Sequence, residues 1–302
     1  NNHHRCPLFI NKIEKILISF KEDIGRYFTD YDILRFFQSN KFILLFLIKE
    51  NILHINNIFD EIIWTNDQNG NQYFYFLIPE ITKYVDEKKI KKIKYDFDFT
   101  MTENYEEKRE EGVNDSYISS LIRDDLVDEF ISYINRKNIS LKSVIKRSVF
   151  ETNSFLIEND PTLIEYATFY SSIRIFQYLK LNNVELSPSL WLYAVHSDNP
   201  EMIYLLEENK VNLPQNTFIS ILKEAIKCHH NDIVDYITNN YSITNEIIDL
   251  IYEYSFRYYN YSLFPDDYEN INSKYVFFYI SINNNYKSLI SSFLPNKMDE
   301  FN

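Results

Sequence analysis

Alanine occurs three times in these 302 residues, at Ala167, Ala194 and Ala225, and each is followed by an apolar residue nine positions later and another at twelve. The partners are Phe176 and Leu179, Ile203 and Leu206, and Val234 and Ile237. A chain that otherwise avoids alanine keeps it where two helices must approach closely, and self-similarity at this spacing is the signature of stacked helical repeats. Weaker units surround Leu121, with Phe130 at plus nine, and Ile280, with Leu289 at plus nine. The intervals from Leu121 are 46, 27 and 31 residues, which places an insertion at about Ser143 to Glu158 between the first two units.

Local chemistry agrees with that periodicity. The segments DPTLIEYA (160–167) and SPSLWLYA (187–194) match position for position. Both predict a helix capped by Asp160 or Ser187 and begun by Pro161 or Pro188, because the capping oxygen accepts an unpaired amide and proline has no amide to satisfy. Asn182, Asn209 and Asn240, fifteen residues after each alanine, are expected as the left-handed residues that end the second helices. Val184 and Leu186, echoed by Val211 and Leu213, are expected to re-enter the core, and Trp191 to pack in it.

Upstream, apolar residues recur at helical spacing from Ile10 to about Tyr84, predicting four or five short helices. Asn66 to Asn71 reads as a turn, not a calcium loop, because Phe76 offers no oxygen at the twelfth ligand position. Lys88 to Lys94 reads KKIKKIK and is followed by an acidic stretch, a charge switch typical of a linker or a solvated helix. The expected organisation is a helical region over 1–95, an acidic linker over 96–114 and a repeat array over 115–302, clearest at 115–240.

Composition narrows the function classes. The 24 Phe and 25 Tyr supply ample core area, at ~25 cal/mol per Å² buried. A net charge of −13 opposes phosphate backbones, which argues for a protein partner and against nucleic acid. Cys6 and Cys228 are too isolated for a disulfide framework or a cysteine-ligated zinc site, so a reducing, cytoplasmic setting is expected, with KKIKKIK leaving nuclear import open. The longest apolar run, Phe42 to Ile48, falls far short of the ~20 residues that span a bilayer. Glycines at 25, 70 and 112 cannot form a phosphate loop, and no cofactor is expected.

The segments AVHSDNPEMIYLL (194–206) and AIKCHHNDIVDYI (225–237) follow the helix pair of an ankyrin repeat, including an acidic residue at plus seven and an apolar pair at plus eight and nine. Through IRDDLVDEFISY (122–133), LNNVELSPSLWLYAVHS (181–197) and IKCHHNDIVDYI (226–237), the chain resembles more closely a divergent ankyrin-like family, expanded in AT-rich protists, whose domain has no assigned function. The ankyrin TPLH helix start is absent and the turn glycines are mostly Asn. The resemblance implies an all-α, ankyrin-like solenoid of antiparallel helix pairs that binds a protein partner without catalysis, as a scaffold or adaptor. Its concave face would carry the residues two and three positions after each slot: Arg123 and Asp124, Phe169 and Tyr170, His196 and Ser197, Lys227 and Cys228. The pair Phe169 and Tyr170 has the composition of a binding hot spot or of packing between repeats.

Two other classes stand beside this one. A substrate receptor or effector would need a second docking surface, for which the N-terminal helices are the candidate. An enzyme within residues 1–110 is disfavoured, since His54 is the only histidine between Phe9 and Met101. Cys228, His229 and His230 are consecutive, and helical neighbours point about 100° apart, so a helix-end turn explains them better than a metal. Cys228 and His196 form a thiol–imidazole pair on paper, but the sequence names no third group to orient them.

Overall fold

The computed structural model describes residues 7–64, 70–84, 104–213, 215–241 and 243–263. Every regular element among them is helical, and the one extended pairing is an isolated antiparallel bridge between Val144 and Thr162. The helices are α1 (Pro7–Ser19), α2 (Lys21–Tyr27), α3 (Asp30–Phe37), α4 (Lys41–Lys49), α5 (Ile55–Trp64), α6 (Gly70–Phe76), α7 (Ile78–Tyr84), α8 (Tyr105–Glu111) and α9 (Tyr117–Arg123). They continue as α10 (Val127–Lys137), α11 (Ser154–Glu158), α12 (Leu163–Phe169), α13 (Ile173–Leu181), α14 (Leu190–Ser197), α15 (Pro200–Glu208), α16 (Gln215–Cys228), α17 (Asn231–Asn240) and α18 (Asn245–Arg257), before a 3-10 turn at Tyr261–Leu263. Contacts divide the chain into two units: Asn1–Ala167 with Arg174–Val184, and Thr168–Ile173 with Glu185–Asn302. KKIKKIK, Cys6, residues 66–69 of the turn expected at Asn66 to Asn71 and the unit expected at Ile280 lie outside the described residues, while Gly70 and Asn71 are the first residues of α6.

In the first unit, the apolar run of α4 is buried among α3, α5, α6 and α7, with Leu47, Ile58, Phe76, Ile78 and Ile81 all at 0 % exposure. Two cations enter this core because backbone and carboxylate oxygens meet them there. Lys41 is fully buried and its Nζ donates to the carbonyls of Val149 and Glu151, each at 3.0 Å, beside the rings of Tyr73 and Phe76. Burial pulls its pKa down to about 7, with Glu151 opposing the shift. Arg109 of α8 donates to both carboxylate oxygens of buried Glu80, at 2.6 and 2.9 Å, and to the carbonyl of Phe76 at 3.0 Å. Tyr105, one turn earlier on α8, donates its hydroxyl to the carbonyl of Tyr75.

The insertion expected at 143–158 therefore has a structural role. Its Val149–Glu151 stretch supplies carbonyls to Lys41 and packs Phe150 against Tyr105, with ring centroids 5.1 Å apart. Thr152 approaches Gly112, which sits at φ +64° after α8; a Cβ there would fall 2.9 Å from Thr152 Oγ1. Glycine is thus required twice at this residue, for the left-handed backbone and for the close approach.

Helix starts and stops depart from the expected chemistry in detail. Asp160 does not cap α12; it pairs with Arg147, Oδ1 to Nε at 2.5 Å. Thr162 takes the cap in a reciprocal arrangement with Glu165, whose carboxylate accepts the Thr162 amide at 2.8 Å. Ser187 and Pro188 precede α14 in a tight turn that their carbonyls close onto Leu190 and Trp191, so proline is not the first helical residue there. Pro200 does hold that position in α15, after an Asn199 side chain that accepts the Glu201 amide. Asn182 and Asn209 are not left-handed; each turns its amide back onto the carbonyl four residues earlier, and Asn183 (φ 59°) and Lys210 (φ 53°) take the left-handed backbone one residue later. Asn240 likewise donates back to Tyr236, and an extended Tyr241 follows.

The alanine slots are buried as expected. Ala167, Ala194 and Ala225 have 0 % exposure, and all six partners at plus nine and plus twelve are buried. In the second unit α14 packs on α15 and α16, and α16 on α17 and α18. Trp191 is buried and donates its indole N–H to the carbonyl of Val211 at 3.3 Å. Val211 is buried, while Leu213 is half-buried. A further slot carries no alanine: Ser255 of α18 is fully buried at the equivalent position, its hydroxyl tied back to the carbonyl of Ile251 at 2.6 Å.

Four residues beyond each slot the backbone turns left-handed, at Asp125, Ser171, Asp198, His229 and Tyr259, with φ between 49° and 61°. At His229 the geometry is a Schellman cap: the amide of His230 reaches the carbonyl of Ala225 at 3.0 Å and that of His229 reaches Ile226 at 3.1 Å. The same pair of bonds recurs after Leu121 and after Ser255.

Ala194→Leu is expected to lower stability by ~1–3 kcal/mol, because three extra carbons enter a filled contact; an unchanged thermal melt would refute the close approach. Arg109→Met is expected to cost ~3–5 kcal/mol by stranding buried Glu80, while the double variant with Glu80→Leu recovers most of that loss. Equilibrium denaturation of the single and double variants tests the pairing directly.

Candidate functional site

Helix α16 carries Glu224 and Cys228 four residues apart, which places both on one face. The packing of α14 on α16 sets His196 against that face. His196 is 1 % exposed. Its Nε2 lies 3.1 Å from Glu224 Oε1, and its Nδ1 lies 3.6 Å from Cys228 Sγ. Lys227 Nζ donates to the same Glu224 oxygen at 2.9 Å. The ring of Phe169 covers the imidazole, with centroids 5.2 Å apart and planes 30° apart.

The protonation state follows from the partners. Burial would raise the Glu224 pKa, but the hydrogen bond from His196 and the charge of Lys227 outweigh it and hold the carboxylate at about 2. Burial lowers the His196 pKa, and Glu224 opposes that shift only in part. Burial, reinforced by the Glu224 charge, pushes the Cys228 thiol up to about 12. An ionised carboxylate is acceptor only, so the imidazole proton sits on Nε2 and the thiol donates to Nδ1. At neutral pH the cluster is a neutral thiol and imidazole beside one internal ion pair.

Five of the eight residues expected on the concave face converge here: Phe169, Tyr170, His196, Lys227 and Cys228. Two of them are corrections. Phe169 is 0 % exposed and His196 1 %, so neither presents a surface to a partner; both are core. Tyr170 is half-buried and meets Phe169 edge to face at 5.1 Å. Packing is the role of this aromatic pair, and the reason is that residues two positions past the slot lie under the next inner helix. Ser197, Lys227 and Cys228 stay half-buried, and Ser197 Oγ donates to the carbonyl of Ala194 at 2.6 Å. In the other unit, Arg123 donates to the carbonyl of Asn114 at 2.6 Å, and Asp124 is exposed at the end of α9.

His229 and His230 do not join the cluster. His229 is exposed in its left-handed turn, its Nε2 3.1 Å from the carbonyl of Tyr258, and His230 Nδ1 lies 2.7 Å from the carbonyl of Val195. The helix-end reading of the consecutive Cys-His-His is the one the geometry matches. The third group beside the thiol–imidazole pair is Glu224, and its signal in the sequence is the four-residue spacing to Cys228 on one helix. His54 lies elsewhere, exposed, with its Nδ1 3.2 Å from Asp30 Oδ1.

No helix among the described residues is long and apolar enough to cross a membrane. No family model, curated protein or solved structure matches this chain.

The folded state holds Glu224 ionised down to about pH 2, whereas the unfolded chain protonates it near 4.5. It also resists protonation of His196, which the unfolded chain accepts near 6.5. In both windows the unfolded state binds more protons, so stability falls as pH falls. The expected urea midpoint declines below pH 6.5 and again between 4.5 and about 2, and Glu224→Gln makes the second decline shallower, with Asp30 and Asp160, also held ionised by their partners, keeping the rest of it. A midpoint independent of pH across both windows would refute these assignments.

Proposed function

We propose that this chain is a non-catalytic, intracellular protein-binding scaffold whose repeat region forms an ankyrin-like solenoid of antiparallel helix pairs. The observation that carries this reading is the recurrence of one unit: a slot residue buried in an inner helix, a left-handed turn four residues on, and, where the outer helix is described, apolar anchors at plus nine and beyond. In the second unit the inner helices α14, α16 and α18 pack in series, so each pair is supported by its neighbours, as in quasi-linear arrays that serve as binding surfaces. The pair Tyr204 and Tyr236 repeats this in the outer helices α15 and α17, with centroids 6.3 Å apart.

With Phe169 and His196 assigned to the core and Tyr170 packed against Phe169, the partner-facing set of the second unit contracts to Ser197, Lys227 and Cys228. The partner is a protein, and the net charge of −13 favours one with a basic face. The thiol of Cys228, held protonated by burial, is a poor nucleophile, which supports a non-catalytic role.

A second reading, a receptor or effector with an additional docking surface, is favoured by a separate observation. Helices α1 to α3 and their connections leave Ile16, Phe20, Tyr27, Phe28 and Phe36 at 46–71 % exposure. Phe28 and Phe36 meet edge to face with centroids 5.6 Å apart, so these two form the start of a contiguous apolar surface of the kind that marks an interaction face.

Captured partners from proximity labelling with the full chain provide the test. Ser197→Arg is expected to weaken partner binding by about tenfold or more, equivalent to ~1.4 kcal/mol, without loss of helix content. Glu208→Arg on the outer helix α15 is expected to have no effect. Binding that survives Ser197→Arg but is lost on Phe20→Asp would replace the groove with the N-terminal surface.

A further inference from the structure

Glu224 and Cys228 on α16 and His196 on α14 bring one carboxylate oxygen, one sulphur and one imidazole nitrogen within 4.8 Å of one another. We propose that these three side chains form a binding site for a single thiophilic divalent cation of the zinc class. The three donor types are those that zinc takes, at bond lengths of ~2.0–2.3 Å that set neighbouring donors roughly 3.3–3.8 Å apart. The 3.6 Å between Cys228 Sγ and His196 Nδ1 already matches that spacing. Glu224 closes the set by rotating from the Nε2 side of the ring, over a distance the 4.8 Å limit allows. The fourth position is left to water.

Placement on the scaffold supports the assignment. Two ligands four residues apart on one rigid helix, with a third from a packed neighbour, is the arrangement that lets helices present donors to one ion. The imidazole side chain is fully shielded from solvent, whereas Cys228 is half-buried, so the ion reaches the site from the cysteine side. A thiolate and an imidazole also select against magnesium and calcium, which favour all-oxygen sets.

Charge balance gives Lys227 a defined part. Without metal, its ammonium neutralises Glu224 at 2.9 Å. On binding, the Cys228 S–H bond breaks, its proton leaves to solvent and the sulphur–metal bond forms. The doubly charged cation is then balanced by one thiolate and one carboxylate, and the ammonium is displaced outward. No oxidation or reduction is involved. Asp198 at the end of α14 adds negative charge on the same side, and Tyr258 after α18 faces Lys227. Lys227 is thus a built-in competitor for the cation.

Titration of the full chain with Co²⁺, and with Zn²⁺ against a chromogenic chelator, tests the site. One equivalent of Co²⁺ is expected to give a thiolate-to-cobalt charge-transfer band that Zn²⁺ displaces and Mg²⁺ does not. Cys228→Ser keeps the shape of the side chain and is expected to abolish the band with unchanged circular dichroism. Glu224→Gln is expected to weaken Zn²⁺ binding by at least about 10–100-fold, the scale reached when even a group that only supports a ligand is lost. Lys227→Met is expected to tighten it, an outcome a purely structural hydrogen-bond cluster would not produce. Absence of the band in the unaltered chain, its persistence in Cys228→Ser, or weaker binding in Lys227→Met would overturn the proposal.

Discussion

The second unit rests on how closely its inner helices approach one another. Helices α14, α16 and α18 pack in series, and Ala194, Ala225 and Ser255 on them have no solvent exposure. A side chain with more than one heavy atom beyond Cβ would hold these axes apart, since interior packing leaves no room for added methylenes. The close approach also explains why Phe169 and His196 are buried: positions just past the slot are covered by the next inner helix. The buried imidazole, its carboxylate and its thiol are thus a consequence of the same contact.

The first unit solves a different problem. Its helices are short and rich in Phe, Tyr, Ile and Leu, and its core admits two cations. Lys41 and Arg109 are tolerated because each meets oxygens fixed by the backbone or by an opposing carboxylate. An unpaired charge in such a place would cost several kcal/mol, roughly the stability of a small domain. Both cations therefore act as registers: Lys41 holds the 149–151 stretch, and Arg109 holds α8 to Glu80 and the end of α6.

Much of this was legible in the chain. The alanine slots and their partners at plus nine and twelve gave the helix pairs, because burial of a periodic apolar set is what a period near 3.6 encodes. What failed was local and competitive. Asp160 looked like a cap but had a better partner in Arg147, and Thr162 with Glu165 formed the cap instead. Asn182 and Asn209 looked left-handed, yet their side chains gain more by bonding the preceding turn, which leaves the strain to Asn183 and Lys210. Ser255 was not legible because serine reads as a polar surface residue, whereas its hydroxyl hides inside the helix by bonding Ile251. Glu224 escaped because a carboxylate beside a slot reads as a solvated residue until the neighbouring helix brings an imidazole to it.

The left-handed turns carry a final consequence. Glycine would hold these positions without strain, yet Asp198, His229 and Tyr259 occupy them, at a cost of roughly 1–2 kcal/mol per residue for backbone that L-amino acids avoid. All three are exposed, at equivalent ends of inner helices that pack in series. A glycine rim would be conformationally relaxed and chemically blank. This rim instead spells an acid, an imidazole and a phenol in succession, so the strain is converted into an alphabet that can vary from one repeat to the next without disturbing the fold beneath it.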